Sequence, residues 1–185
     1  ALADMCSGIP MNRLVQGDVG SGKTMVAAAC VYFVVKNGSQ AALMAPTEIL
    51  AQQHYAGLAP LLGKLGVRCA LLTGPPPAKE KHTVTTQLSG GEADFAIGTH
   101  ALIAGEVEYA NLGLVITDEQ HRFGVMQRAA LSGKGAHPHT LVMSATPIPR
   151  TLALILYGDL EVSVIDQLPP GRRSIATYAV PGSYR

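Results

Sequence analysis

The stretch LVQGDVGSGKT, residues 14–24, constrains the fold more than any other part of the chain. An apolar, strand-like run meets a glycine-rich turn and then a helix-like run. Gly17, Gly22, Lys23 and Thr24 fall on the fixed places of G-x-x-x-x-G-K-[ST]. In a loop of this kind, the glycines let successive backbone N–H groups, here around Gly20, Ser21 and Gly22, converge on an anion. The amino end of the following helix adds its positive dipole end. Lys23 is then placed to reach the β- and γ-phosphates of ATP, and Thr24 to hold Mg2+. The competing reading is a glycine-rich strand-to-helix turn that matches by accident, so the rest of the chain has to decide.

That rest alternates in the way a phosphate loop requires. Short Val/Ile/Leu-rich runs are separated by longer helix-like stretches, the signature of βαβ units around a parallel sheet covered on both faces. The pattern predicts strands near 12–16, 40–45, 67–72, 94–98, 112–117, 140–144 and 161–165. Helices are expected near 22–36, 48–63 and, more weakly, 79–89. Asn37-Gly38 is a stop signal for the first of these, and Thr47 is the expected N-cap of the second. The run MVAAACVYFVV at 25–35 is apolar on nearly every side and reads as a buried helix, too short to cross a bilayer. The expected fold class is α/β, a three-layer αβα domain with a mainly parallel sheet of about seven strands, and 185 residues suffice for one such core.

Composition excludes more than it suggests. Fourteen Lys and Arg against thirteen Asp and Glu give no net charge that announces nucleic acid, so any such claim must come from particular segments. Cys6, Cys30 and Cys69 are odd in number and far apart, which argues against a disulfide framework or a zinc site and suggests mostly buried, reduced thiols. His137 and His139 flank a proline without an accompanying Cys or carboxylate cluster, so a loop before a strand is the better reading than a metal site. No basic segment followed by an apolar one opens the chain, and a cytoplasmic protein without membrane contact is expected.

A second constellation bears chemistry. In LGLVITDEQHRFGV, 112–125, an apolar strand runs into Asp118 and Glu119. The carboxyl ends of parallel strands form the ligand crevice, so these acids should lie beside the phosphate loop. Asp118 is then the Mg2+-holding acid, and Glu119 orients and deprotonates the water that attacks the γ-phosphate. Taken alone, an Asp-Glu pair at a strand end is as often a solvated turn. The third stretch, LVMSATPIPRTLAL at 141–154, ends a buried strand in Ser144-Ala145-Thr146 before Pro147. Its hydroxyls could hydrogen-bond the acidic loop and report the γ-phosphate, or merely cap a helix.

Taken in order, GDVGSGKT, APTEILAQQH, GTH at 98–100, DEQHRFGV and MSATPIPRTLAL resemble motifs I, Ia, Ib, II and III of the superfamily 2 helicases. The combination is most similar to the RecG family, ATP-dependent DNA helicases that remodel branched DNA and stalled forks, and the similarity extends to VIDQLPPGR at 164–172. Transcription-repair coupling factors share much of the fourth and fifth motifs. Gln120 and the LMAPTEILAQQH segment favour the RecG side.

The resemblance implies a RecA-like P-loop NTPase domain and a set of roles. Gln120 and His121 would couple the ATP site to Ser144 and Thr146. Pro46, Thr47, Thr99 and His100 would line a DNA-binding face, where hydroxyl and backbone N–H groups track phosphates without reading bases. Arg122, Phe123 and Arg150 are further candidates for DNA contact, although an Arg beside carboxylates is as often a salt-bridge partner. The resemblance further implies a second RecA-like domain that supplies arginine fingers, and an N-terminal wedge domain that grips a DNA branch.

Residues 1–167 are the expected motor domain, and the Pro-, Gly- and Arg-rich 168–185 a linker or the start of the second motor domain; both ends read as parts of a longer protein. Two readings from other classes remain beside the motor. One is a small-molecule P-loop kinase, which usually needs an Arg-rich lid that is not found between 74 and 110. The other is a non-catalytic module, against which the intact set of Lys23, Thr24, Asp118 and Glu119 argues.

Overall fold

The computed structural model describes residues 1–74, 78–118, 130–146 and 160–167. Within them a short helix α1 (Leu2–Met5) leads to β1 (Asn12–Gly17), α2 (Lys23–Lys36) and β2 (Gln40–Met44). There follow α3 (Glu48–Gly63), β3 (Cys69–Leu72), α4 (Ala78–Ser89), β4 (Phe95–Gly98) and a 3-10 turn (His100–Ile103). The last described strands are β5 (Leu112–Asp118), β6 (His139–Ser144) and β7 (Glu161–Ile165). All seven form one sheet in the order β3-β4-β2-β5-β6-β1-β7, each neighbour pair parallel.

The strands fall where the apolar runs predict because β2 and β4 are buried throughout. A parallel strand covered on both faces has no polar alternation and so reads as an unbroken apolar segment. Its two faces feed two cores. Ala41, Leu43, Phe95, Ile97, Leu114 and Ile116 pack with Ala27, Val31, Ala51, Leu58 and Leu62 of α2 and α3. The alternate residues Ala42, Met44, Ala96 and Val115 pack with Leu88 of α4 and Leu102 on the other side. The sheet is therefore the middle of three layers.

Helix boundaries follow local chemistry. Thr47 caps α3, its hydroxyl accepting from the Leu50 N–H at 3.3 Å. Helix α2 ends at Asn37, and Gly38 takes a left-handed φ of 79° that a residue with a side chain would resist. One expectation needs correcting: α2 is not buried all round. It shelters Ala27, Ala28, Cys30, Val31 and Val34, whereas Met25 and Tyr32 are exposed. A helix in an outer layer has only one side against the sheet, and its apolar sequence cannot change that. Of the three free thiols, Cys30 is buried and Cys69 half-buried, but Cys6 is exposed.

The amino edge of the sheet carries a pH-sensitive contact. His139 opens β6, and its Nδ1 accepts a hydrogen bond from the Met11 N–H at 2.9 Å. Burial lowers the pKa of this imidazole from its ordinary 6.5. The unfolded chain therefore takes up a proton before the folded one does as pH falls. The stability contributed by the neutral ring is complete above about pH 6.5 and declines as pH drops toward the lower folded value. Urea unfolding on both sides of that pH should show this decline, and His139→Asn, which keeps an acceptor but does not titrate, should flatten it. Among the described residues, no helix is long and apolar enough to cross a membrane, and no cluster of His, Cys, Asp or Glu could hold a metal ion.

Candidate nucleotide-binding site

Strand register brings the predicted residues to one rim. Gly17 ends β1, Ser144 ends β6 opposite Gln16, and Asp118 ends β5 opposite Met143. Met143 also faces Val15, so Asp118 lies level with the last residues of β1 with a single strand between. Two inter-strand spacings make that separation about 10 Å. Asp118 shares the parity of Leu114 and Ile116, which belong to the core beneath α2 and α3. Its side chain is accordingly on the α2/α3 face, the same face from which the amino end of α2 presents Lys23 and Thr24.

The loop itself is shaped for an anion. Gly22 is the N-cap of α2 at φ 97°, with no side-chain cap and no acidic residue in the first turn, leaving the helix's positive end without a built-in counter-charge. Gly20 also has positive φ, at 82°. Gly17 is required for a different reason: a Cβ there would lie 2.5 Å from Ser21 Oγ and 3.0 Å from Ile165 Cβ of its paired strand, so a side chain would crowd both the loop and β7. Lys23 Nζ donates to the carbonyls of Gly17 at 2.7 Å and Asp18 at 2.9 Å, spanning the mouth of the loop, and among the described residues it is in no ion pair. Ser21 Oγ is buried with no hydrogen-bond partner among the described residues. An unsatisfied hydroxyl and a cation held only by neutral carbonyls suit a phosphate chain. The hard oxygens of Thr24 and Asp118 are the donor types that Mg2+ takes.

One contact was not foreseen in the sequence. His54 Nε2 lies 2.6 Å from Asp118 Oδ2, tying α3 to the end of β5. The two are 64 positions apart, and no motif spacing links them; the position of a His on the inward side of α3 was the only available hint.

The remaining predicted residues are distributed as follows. Pro46 and Thr47 follow β2 and are half-buried, and His100 is exposed after β4. Thr99 departs from expectation: it is 3% exposed and its hydroxyl has no partner among the described residues, so that side chain does not face solvent. Thr99 is buried as the N-cap of the 3-10 turn, and the next residue, His100, is exposed. Ser144 Oγ lies 3.1 Å from Thr146 Oγ1 and accepts from the Thr146 N–H at 3.2 Å, so the two candidate coupling residues contact each other. Glu119, Gln120, His121, Arg122, Phe123 and Arg150 lie outside the described residues.

With this geometry established, similarity to known proteins decides the family. Residues 2–155 match the DEAD/DEAH box helicase family. The chain belongs to that family. Over 95% of its length it is 57% identical to the ATP-dependent DNA helicase RecG of Aquifex aeolicus, of which it covers 22%. It is 56% identical over 96% of its length to the RecG of Bacillus subtilis, covering 26% of that protein. The solved structure of RecG bound to a three-way DNA junction matches with a TM-score of 0.78 and 50% identity, over 94% of this chain and 23% of that one. The helicase domain of Pyrococcus furiosus Hef, 18% identical with a TM-score of 0.65 over 91% of this chain and 38% of that one, agrees in fold. This helicase domain thus spans about a quarter of the length of the RecG relatives it matches.

Proposed function

We propose that the chain is the first RecA-like motor domain of a RecG-type DNA helicase or translocase, with residues 1–167 as the motor unit and 168–185 leading toward a second. The observation that supports this reading is that the amino end of α2, which carries Lys23 and Thr24, and the end of β5, which carries Asp118, lie on one face at one rim of the sheet. In this reading Lys23 lies along the β- and γ-phosphates of ATP, and Thr24 and Asp118 hold Mg2+. The ion, when bound, offsets charge on the transferred phosphoryl group. Glu119 is the proposed base that orients and deprotonates the attacking water. Gln120 and His121, with Ser144 and Thr146, are the proposed relay from the γ-phosphate site.

The DNA-facing edge is proposed to run from Pro46 and Thr47 to His100, with Thr99 supporting it from beneath and Arg122, Phe123 and Arg150 adjoining. Contacts of this kind track a phosphate backbone without needing a strongly basic composition. The partners proposed for the whole protein are branched or forked duplex DNA, a second RecA-like domain that closes on the nucleotide, and an N-terminal wedge domain. The proposed location is the cytoplasm.

The test is a chimera in which this chain replaces the matching segment of a full-length RecG relative. ATP hydrolysis is measured with and without a three-way DNA junction. Junction-stimulated hydrolysis and fork reversal are expected. Hydrolysis indifferent to DNA, with transfer of phosphate to an added small metabolite, would replace the motor by a kinase.

A further inference from the structure

We propose that His54 is a positioning residue for the carboxylate of Asp118: its Nε2–H donates to Oδ2 and fixes that side chain in the orientation from which a metal ion beside the phosphate loop can be held. The inference rests on the nucleotide-site reading above and deepens it by naming the group that sets the metal-holding acid.

The chemistry assigns the proton. An ionised carboxylate only accepts hydrogen bonds, so the contact at 2.6 Å requires the ring proton to lie on Nε2. The pair is largely withdrawn from water, with side-chain exposures of 12% for His54 and 16% for Asp118. At the surface such a contact would be screened and would compete with hydration. Here the low exposure of both groups spares it much of that competition.

Packing fixes the donor in turn. Ala51, Leu58 and Leu62 of α3 are buried in the core shared with β5, and His54 falls on the same inward stripe at helical spacing. The inward position of His54 on a packed helix keeps its imidazole near the end of β5. Asp118 closes β5, so one end of the hydrogen bond is anchored in a strand and the other in a helix. A ligating carboxylate held by an outer hydrogen bond is ordered before the ion arrives, and loss of such a partner typically weakens metal binding about 10- to 100-fold.

The same helix begins at Thr47, which lies about 10 Å along its axis from His54. Thr47, one residue of the edge proposed to face DNA, and the group that positions the metal-holding acid are therefore carried by one helix.

The experiment uses this chain and a fluorescent, non-hydrolysable ATP analogue, titrated at increasing Mg2+ and again with EDTA. Thermal unfolding is followed in parallel. For His54→Ala the Mg2+ concentration that supports half-maximal analogue binding should rise about 10- to 100-fold, with binding in EDTA unchanged. His54→Gln, whose amide N–H can still donate, should recover most of the Mg2+ dependence. Equal weakening with and without Mg2+ in both variants would reduce His54 to a structural latch and overturn the proposal, as would a Mg2+ dependence in His54→Ala identical to that of the unsubstituted chain. If the unsubstituted chain shows no Mg2+-dependent binding, the nucleotide-site reading itself fails and takes this inference with it.

Discussion

By itself, the 185-residue chain is expected to turn ATP over about 10^3 to 10^5 times more slowly than the same sequence within a full-length RecG chimera. Phosphoryl transfer demands that negative charge on the γ-phosphate be met from several directions at once. This domain offers Lys23, the amino end of α2 and, through the cation proposed to sit on Asp118, one further positive charge, all from a single rim. In the proposed motor the opposing cations come from a second RecA-like domain, as arginine fingers do elsewhere, and their absence alone accounts for the expected deficit. Steady-state phosphate release, measured at saturating Mg·ATP and DNA for both proteins, gives the ratio. Comparable rates would mean that this domain holds a complete hydrolytic site, and the two-domain closure would have to be abandoned.

Within the chimera, Lys23→Ala should lower DNA-stimulated turnover by roughly 10^2- to 10^3-fold, the usual consequence of removing one preorganised charge from the developing transition state. Its ammonium is the group that spans the loop, and the substitution removes the donor now shared by the Gly17 and Asp18 carbonyls. Only these two part-buried hydrogen bonds are lost from the fold, so the unfolding midpoint should shift far less than activity. Lys23→Arg should restore little, because a planar fork does not replace a compact point charge within a close-fitting loop. Phosphate release together with urea unfolding separates the two effects. Turnover of Lys23→Ala close to that of the unsubstituted chimera would remove Lys23 from the catalytic machinery.

Much of the architecture was legible in the chain. The seven apolar runs became seven strands because fully covered parallel strands need apolar residues on both faces. Thr47 and Asn37-Gly38 marked helix ends because capping is decided by a few neighbouring backbone groups. The glycine-rich turn at 17–24 and the acid at the end of β5 were visible for the same reason: each combines a local backbone shape with the side chain it presents. Other features were read wrongly or not at all. The apolar helix α2 gave no sign that Met25 and Tyr32 would be left in solvent. Thr99 was expected to offer its hydroxyl along a DNA-facing edge, yet its side chain is buried at the start of the 3-10 turn.

What the sequence determined by itself is the alternation of strand and helix, the anion-shaped turn at 17–24 and the chemical identity of the groups at strand ends, since all of these depend on residues within a few positions of one another. Only the tertiary structure decided the strand order, which sets β6 between β1 and β5, the space that excludes a side chain at Gly17, and the hydrogen bond from His54 to Asp118. Each of those joins segments far apart in the chain, and such contacts arise from how helices and strands pack against one another, which no local pattern encodes.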